Sequence, residues 1–338
     1  MGILGVRRPV IAAPMAGGPG VPALVLAAAR AGSIGFLAGG YKTPQALADE
    51  IATLETASVP FGVNLFAPNP MPVDRDEFRR YAALIAPEAA RYGLVLDDVP
   101  VEDDDRWHDK VDLLSTHPVP VVSFTFAIPS AEVVASLKRA GTLLVQTVTS
   151  ADEAVAAAGA GMEALAVQAS VAGGHSGTLS PRRPIVDVPL PDLVASVRAA
   201  VPLPIIAAGG VGTPEQVAAA IRAGAEAVAV GTALLLSDEA GTSATHRAAV
   251  ADPARTTTRL THAFTGRPAR GIRNEFIDAY EQPAPYGYPA LHHLTSAMRK
   301  AAAATGDPER VHLWAGTGFR HATAEPVATI LERLASSV

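Results

Sequence analysis

Ile205-Ile-Ala-Ala-Gly-Gly-Val-Gly-Thr-Pro-Glu-Gln-Val-Ala-Ala-Ala-Ile-Arg-Ala-Gly-Ala-Glu-Ala-Val-Ala-Val-Gly-Thr232 is the stretch that decides the fold. An apolar run, Ile205 to Ala208, meets a pair of glycines. Thr213 and Gln216 have the spacing of a helix capping box. Pro214 stands at the first helical position, where its missing N–H costs little. The alanine-rich helix ends at Ala223-Gly224, and glycine relieves the left-handed closing residue there. A second apolar run, Ala227 to Val230, then meets Gly231-Thr232. The segment holds one strand, one helix and the next strand.

The same unit repeats along the chain. Apolar runs at Val10–Met15, Ser33–Ala38, Pro60–Phe66, Val119–Phe126, Thr142–Thr147, Ala164–Gln168, Pro204–Ala208 and Ala227–Val230 predict strands. Their continuous hydrophobicity suits strands buried on both faces of a parallel sheet. Ala31-Gly32 and Ala140-Gly141 repeat the helix ending, and Ser150 with Glu153 repeats the capping spacing. About eight such units close most economically as an α/β (β/α)8 (TIM) barrel. An open doubly wound sheet is the competitor, but the Gly-x-Gly-x-x-Gly fingerprint is missing after the first strand.

Two regions break the repeat. Residues 67–118 are polar and proline-rich and include Val101-Glu-Asp-Asp-Asp105. They read as a loop plus a surface helical segment, with the acidic run solvated. Residues 236–305 read as a helical and loop segment inserted after the eighth strand, over the barrel mouth. They contain Thr265-Gly-Arg-Pro-Ala-Arg-Gly-Ile-Arg-Asn274 and the aromatics Tyr280, Tyr286 and Tyr288. Residues 306–338 return to the barrel through a helix expected over Glu325–Leu334. The barrel core is then 1–235.

Composition narrows the function classes. The chain has 338 residues, 49% of them hydrophobic, and a formal net charge of -6. No block of Lys and Arg points to nucleic acid. Cysteine is absent, which excludes disulfides, thiolate catalysis and cysteine-ligated metals. The histidines show no ligand spacing: His292 and His293 are adjacent and would not share one helix face. Met1 to Met15 does not read as a signal peptide, and no apolar stretch approaches the roughly 20 residues of a membrane span. A soluble, cytoplasmic protein is expected.

The chemistry-bearing residues gather at predicted strand ends. Ala172-Gly-Gly-His175-Ser-Gly177 follows the sixth strand and sets a histidine among glycines where a parallel barrel keeps its active site. Gly209, Gly210, Val230, Gly231 and Thr232 end the seventh and eighth strands, the place of the barrel phosphate site. The plainer reading is that these glycines only make tight turns. Asn64 and Gln168, at other strand ends, offer donors and acceptors together, which suits the edge of a flavin ring. Met15 could pack on such a ring. Equally, Asn64 could cap a loop and Met15 fill core space.

These motifs carry a family resemblance. Ala12-Ala-Pro-Met-Ala16, Gly62-Val-Asn-Leu-Phe66, Gln168 with Ala172-Gly-Gly-His-Ser-Gly177, Pro204-Ile-Ile-Ala-Ala-Gly-Gly-Val211, Val230-Gly-Thr232 and Thr265-Gly-Arg-Pro-Ala-Arg270 with Asn274 together resemble the nitronate monooxygenase family. The resemblance implies an FMN-binding barrel. Met15, Asn64, Gln168, Gly173, Gly209, Gly210, Val230, Gly231 and Thr232 would hold FMN, and His175 would be catalytic, as a base or as a donor to the nitro oxygens. Tyr286 and Tyr288 fall where the family places aromatic substrate contacts. The implied reaction is oxidation of an alkyl nitronate, such as propionate 3-nitronate, or a nitroalkane, with O2 to a carbonyl product and nitrite.

Two departures from the family pattern stand out. Gln168-Ala-Ser-Val171 lacks an acidic residue before Ala172, so a partner for His175 is gone. Thr317-Gly318 follows Trp314-Ala-Gly316 where Gly-Gln is the family's habit. Two other functions share the sequence features. One is an FMN-dependent enoyl-acyl carrier protein reductase using NAD(P)H, with Arg182, Arg183, Arg267, Arg270 and Arg273 as a basic patch for its acidic partner. The other is a non-catalytic flavin-binding barrel. Oligomeric state is not readable from the sequence.

Overall fold

The computed structural model describes residues 3–338. Eight parallel strands close a barrel in chain order: Val10–Ala12, Gly35–Ala38, Phe61–Phe66, Val121–Thr125, Leu143–Val148, Ala164–Gln168, Ile205–Ala208 and Ala227–Val230. The closing pair sets Val10, Ile11 and Ala12 against Val228, Ala229 and Val230, which no open sheet would form. All eight predicted strands are present. The first stops at Ala12, short of the expected Met15. Ala13 still donates to the Val230 carbonyl at 3.0 Å, but Pro14 has no N–H to continue the ladder.

Alternation along the strands divides the core. Ile11, Phe36, Val121, Val145, Ala164, Ile206 and Ala227 form one buried cluster, capped by Ile3, Leu4 and Val6. Their neighbours Val10, Leu37, Val63, Val122, Leu144 and Leu165 belong to a second cluster shared with the surrounding helices. Side chains on successive strand residues point to opposite faces, so one set fills the barrel and the other its jacket. Gly32, Gly141 and Gly224 close their helices at positive φ, as the Ala-Gly pairs predict. Thr213 and Gln216 form a complete capping box. Ser150 caps its helix, but the Glu153 carboxylate turns away. It accepts from the Thr149 N–H and hydroxyl at 2.6 and 2.9 Å and from Thr178 and Leu179, both at 2.7 Å. Glu153 therefore anchors the chain just after His175.

Residues 67–118 are more ordered than the sequence reading allowed. They hold two helices, Arg75–Ala90 and Trp107–Thr116. The first buries Phe78, Tyr81, Ala82, Ile85 and Ala89 against Leu291, Leu294 and Met298 of the helix Ala290–Thr305. Its apolar stripe has helical period, but the charged residues between hide it in any average. The acidic run is largely exposed, yet its members also bridge elements. Asp105 meets the buried Lys110 at 2.8 Å and accepts from the Tyr41 N–H at 2.9 Å, while Asp103 meets His293 at 2.8 Å.

After the eighth strand come a helix, Ala244–Ala251, two strands, Thr258–Thr261 and Ala269–Ile272, and the helix Ala290–Thr305. The two strands form a small antiparallel sheet whose third member is Gly174–His175. The final helix, Val327–Leu334, shares a buried cluster with Leu24, Val25 and Ala28 of the first helix, Pro22–Arg30. Replacing Phe78 by Ala should lower stability by about 3–5 kcal/mol, the usual cost of emptying a buried aromatic site. Urea unfolding measures this, and a loss below about 1 kcal/mol would show that the stripe does not hold the inserted helices to the barrel.

Candidate active site

The C-terminal ends of the barrel strands open into a cavity of about 1050 Å³. Met15, Asn64, Gln168, Gly173, His175, Gly209, Gly210, Val230, Gly231, Thr232 and Tyr288 all line it. Tyr286 does not. Its ring stacks on His262, with centroids 4.4 Å apart, and Arg182 lies 5.7 Å from it. Tyr280 is turned away as well, donating to Glu88 at 3.0 Å. Of the three tyrosines only Tyr288 reaches the site, where its hydroxyl donates to the Tyr41 hydroxyl at 3.2 Å.

His175 lies on a two-residue strand, not in a free loop as the glycines around it suggested. Ala269 and Arg270 pair with His175 and Gly174, and the Ser176 N–H donates to the Pro268 carbonyl at 2.8 Å. The imidazole is walled by Phe126, Tyr288 and Trp314, with ring centroids 5.7, 5.6 and 5.6 Å away. Its Nε2 meets the Thr265 hydroxyl at 2.9 Å. Burial, and then the charges of Arg267 and Arg299, push its pKa down to about 3. His175 is therefore neutral near pH 7, and it does not hold an anion by its own charge.

The cations that matter are two arginines the sequence reading did not single out for this role. Arg267 is fully buried. It lies 3.9 Å over the Phe126 ring and donates to the Thr178 carbonyl at 2.6 Å. Arg299 lines the cavity, donating to the Thr295 hydroxyl at 3.0 Å and the His292 carbonyl at 2.9 Å. Burial pulls both pKa values down to about 10, so both keep their charge at neutral pH. Among the described residues neither is ion-paired with a carboxylate, although buried cations ordinarily are. His292 and His312 line the same wall and are held well below the usual histidine range by burial and then by Arg299.

The expected polar contacts divide. Asn64 donates to the Ser123 and Thr125 hydroxyls at 2.9 and 3.1 Å, and among the described residues its side-chain oxygen has no donor. Gln168 lines the cavity, but its amide clamps the Gly174–His175 strand. It donates to the His175 carbonyl at 3.2 Å and accepts from the Gly177 N–H at 2.7 Å. Thr232 accepts from the Gly316 N–H at 2.9 Å, so its own proton is free to be donated. Gly173 is needed for a reason the sequence did not reveal: a Cβ there would come within 2.5 Å of the Gly316 nitrogen. The segment Trp314–Gly318 thus packs directly on the His175 turn, and Thr317 donates to the Val171 carbonyl at 3.1 Å.

A family model described as nitronate monooxygenase matches residues 1–337. The chain belongs to the nitronate monooxygenase family. It is an enzyme of a flavin-dependent oxidoreductase family. A probable nitronate monooxygenase of Staphylococcus aureus (strain Newman) is 37% identical over 341 residues, covering 99% of this chain and 96% of the relative. The crystal structure of nitroalkane oxidase from Streptomyces ansochromogenes superposes with a TM-score of 0.93 at 44% identity, covering 98% of this chain and 96% of that one. FabK from Thermotoga maritima superposes with a TM-score of 0.76 at 26% identity, covering 99% and 93%.

The basic patch expected of a carrier-protein partner does not assemble. Arg267 is buried, Arg270 donates to the Ser170 carbonyl at 2.8 Å, and Arg273 pairs with Asp278 at 2.8 Å. Of these five only Arg182 and Arg183 are both exposed and without a carboxylate partner among the described residues, and Asp103, Asp104 and Asp105 lie at the cavity instead. No helix among the described residues is long and apolar enough to cross a membrane.

Because His175 stays neutral, kcat/KM for a nitronate should show no ionisation near pH 6.5 that belongs to it. A pH–rate series on the native enzyme and on His175→Asn tests this. A limb near the ordinary histidine pKa that vanishes in the variant would contradict the buried, neutral imidazole.

Proposed function

We propose that this chain is an FMN-dependent nitronate monooxygenase that oxidises alkyl nitronates with O2 to a carbonyl product and nitrite. Propionate 3-nitronate is the first substrate to try. The observation that carries the reading is the buried Arg299, which lines the cavity without a carboxylate partner among the described residues, with the fully buried Arg267 behind the Phe126 ring. An uncompensated buried cation is costly and is relieved by a ligand anion. A nitronate is such an anion, and a neutral nitroalkane is not.

The other end of the cavity fits FMN. Gly209 and Gly210 stand at φ of +113° and +73°, and Gly231 precedes the short helix Thr232–Leu234. Backbone N–H groups in such turns, with the free Thr232 proton, suit a phosphate dianion. The Asn64 oxygen would accept from a flavin ring N–H, and Met15 would offer a polarisable wall. When bound, FMN supplies the electron acceptor that an electron-rich nitronate can reduce without nicotinamide. The protein's part is to orient. Arg299 and the tyrosine pair draw the anion in, while Phe126, Tyr288 and Trp314 keep water from the reacting carbon. We also propose a cytoplasmic enzyme, with which the absence of cysteine is compatible.

An anaerobic spectral titration tests the reading. Propionate 3-nitronate alone should bleach the flavin of the purified protein. Bleaching by NADH alone would favour the enoyl reductase reading. A flavin reduced by neither would favour a binding protein, and a protein that cannot be loaded with FMN would end the flavin argument. Arg299→Gln should raise KM for the nitronate by about tenfold, the worth of one charge-assisted hydrogen bond, with flavin content unchanged. Steady-state kinetics measures it, and an unchanged KM would remove Arg299 from substrate binding.

A further inference from the structure

His175 has one ring nitrogen tied and one free. Nε2 meets the Thr265 hydroxyl at 2.9 Å, and that hydroxyl donates to the Arg267 carbonyl at 3.2 Å. A threonine hydroxyl has a single proton. Arg267 is fully buried, and its carbonyl receives no backbone N–H. If Thr265 turned its proton to His175, that carbonyl would be left unsatisfied, which costs more than a weakened bond. The proton of the imidazole therefore sits on Nε2, and Nδ1 carries the lone pair. Among the described residues Nδ1 has no partner, yet it is not among the buried unsatisfied atoms, so it opens on the cavity that His175 lines.

We propose that Thr265 is a positioning residue that fixes the tautomer of His175, so that Nδ1 is the atom that takes a proton from the carbon beside a nitro group. The inference rests on the nitronate reading above and extends it to neutral nitroalkanes. In the step, the C–H bond breaks and its proton moves to Nδ1. The electron pair of that bond becomes the C=N bond of the nitronate, with the negative charge on the nitro oxygens. No oxidant is needed for this step. Because burial leaves the imidazole a weak base, the step runs forward through stabilisation of its product: the new imidazolium lies beside the new nitronate anion, whose oxygens face Arg299 on the same cavity. The opposite tautomer would present an N–H to the cavity and could not accept the proton.

The other residues fit the assignment. Gln168 holds the His175 carbonyl, Glu153 holds Thr178 and Leu179, and Ala269 pairs with His175 itself. The His175 backbone is thus held by Gln168 and Ala269, the chain after it by Glu153, and the ring's far nitrogen by Thr265. Thr265 itself is fully buried.

Flavin-loaded protein with 15N-labelled histidine tests the proposal, with His175→Asn supplying the assignment. Long-range proton–nitrogen spectra should show His175 protonated at Nε2 in the native enzyme. Thr265→Val should give a mixture of tautomers and lower kcat for neutral nitroethane by about tenfold or more, while the pre-formed nitronate is oxidised within about twofold of the native rate. Thr265→Ser, which keeps the hydroxyl, should restore both and shows that the effect is not a folding defect. Nδ1 protonated in the native enzyme, or a tautomer unmoved in Thr265→Val, would overturn the proposal. So would a native enzyme whose flavin is bleached by nitronate but which never turns over nitroethane; that result leaves the proposed function standing. A flavin bleached by neither substrate would instead defeat the proposed function, and the spectra would still report the tautomer.

Discussion

The antiparallel pairing of Gly174 and His175 with Arg270 and Ala269 is the contact on which the site depends. A barrel alone leaves the turn after its sixth strand free to move. Here a segment inserted after the eighth strand reaches across the mouth and makes that turn the edge of a sheet. The pairing fixes the His175 backbone, brings Thr265 to its ring and buries Arg267 beneath it. Trp314 and Gly316 can then close over the same turn, where Gly173 leaves just enough room. The inserted segment is held in turn by Phe78, Tyr81 and Ile85 of the earlier helix, so two interruptions of the barrel repeat support each other.

The barrel itself was legible because its signals are local. Each strand is a continuous apolar run, and each helix has a cap or an Ala-Gly ending. His175, Asn64, Gln168 and the glycines could be placed for the same reason: a strand end in a closed barrel always faces the mouth. What the sequence hid is set by long-range contact. Nothing near Arg299 in the chain says that it will lie beside a cavity without a carboxylate, since that depends on helix Ala290–Thr305 lying over the barrel. Tyr286 and Tyr288 are two residues apart and read alike, yet one stacks on His262 and the other faces His175. Gln168 was legible as a cavity residue but not as a clamp, because its partners come from the strand that the insertion creates.

Charge is distributed in the site with a consistent logic. Positive charge is carried by guanidinium groups, which keep it even when buried. His175, His292 and His312 are neutral, since burial and the neighbouring arginines both oppose protonation. The hydroxyls of Tyr41 and Tyr288 stay protonated because burial raises them, Tyr41 to about 12. Arg299, Tyr41 and Tyr288 therefore offer an anion fixed charge and donors, and the His175, His292 and His312 rings beside them stay uncharged near neutral pH.

Within that wall the partners sort the histidines into two kinds. Arg299 can only donate, and it approaches Nδ1 of His292 at 3.3 Å and Nδ1 of His312 at 3.4 Å. Those two rings must then carry their protons on Nε2, facing away from the arginine as donors. His175 also has its proton on Nε2, but there it is spent on Thr265, and the atom left for the cavity is an acceptor. Three neutral imidazoles thus play different parts because of which nitrogen the protein engages. The result places the sole imidazole acceptor of the three against Phe126, Tyr288 and Trp314, and keeps the donors with Arg299. A substrate that sets its oxygens toward the arginine and its carbon toward His175 satisfies both kinds of group at once.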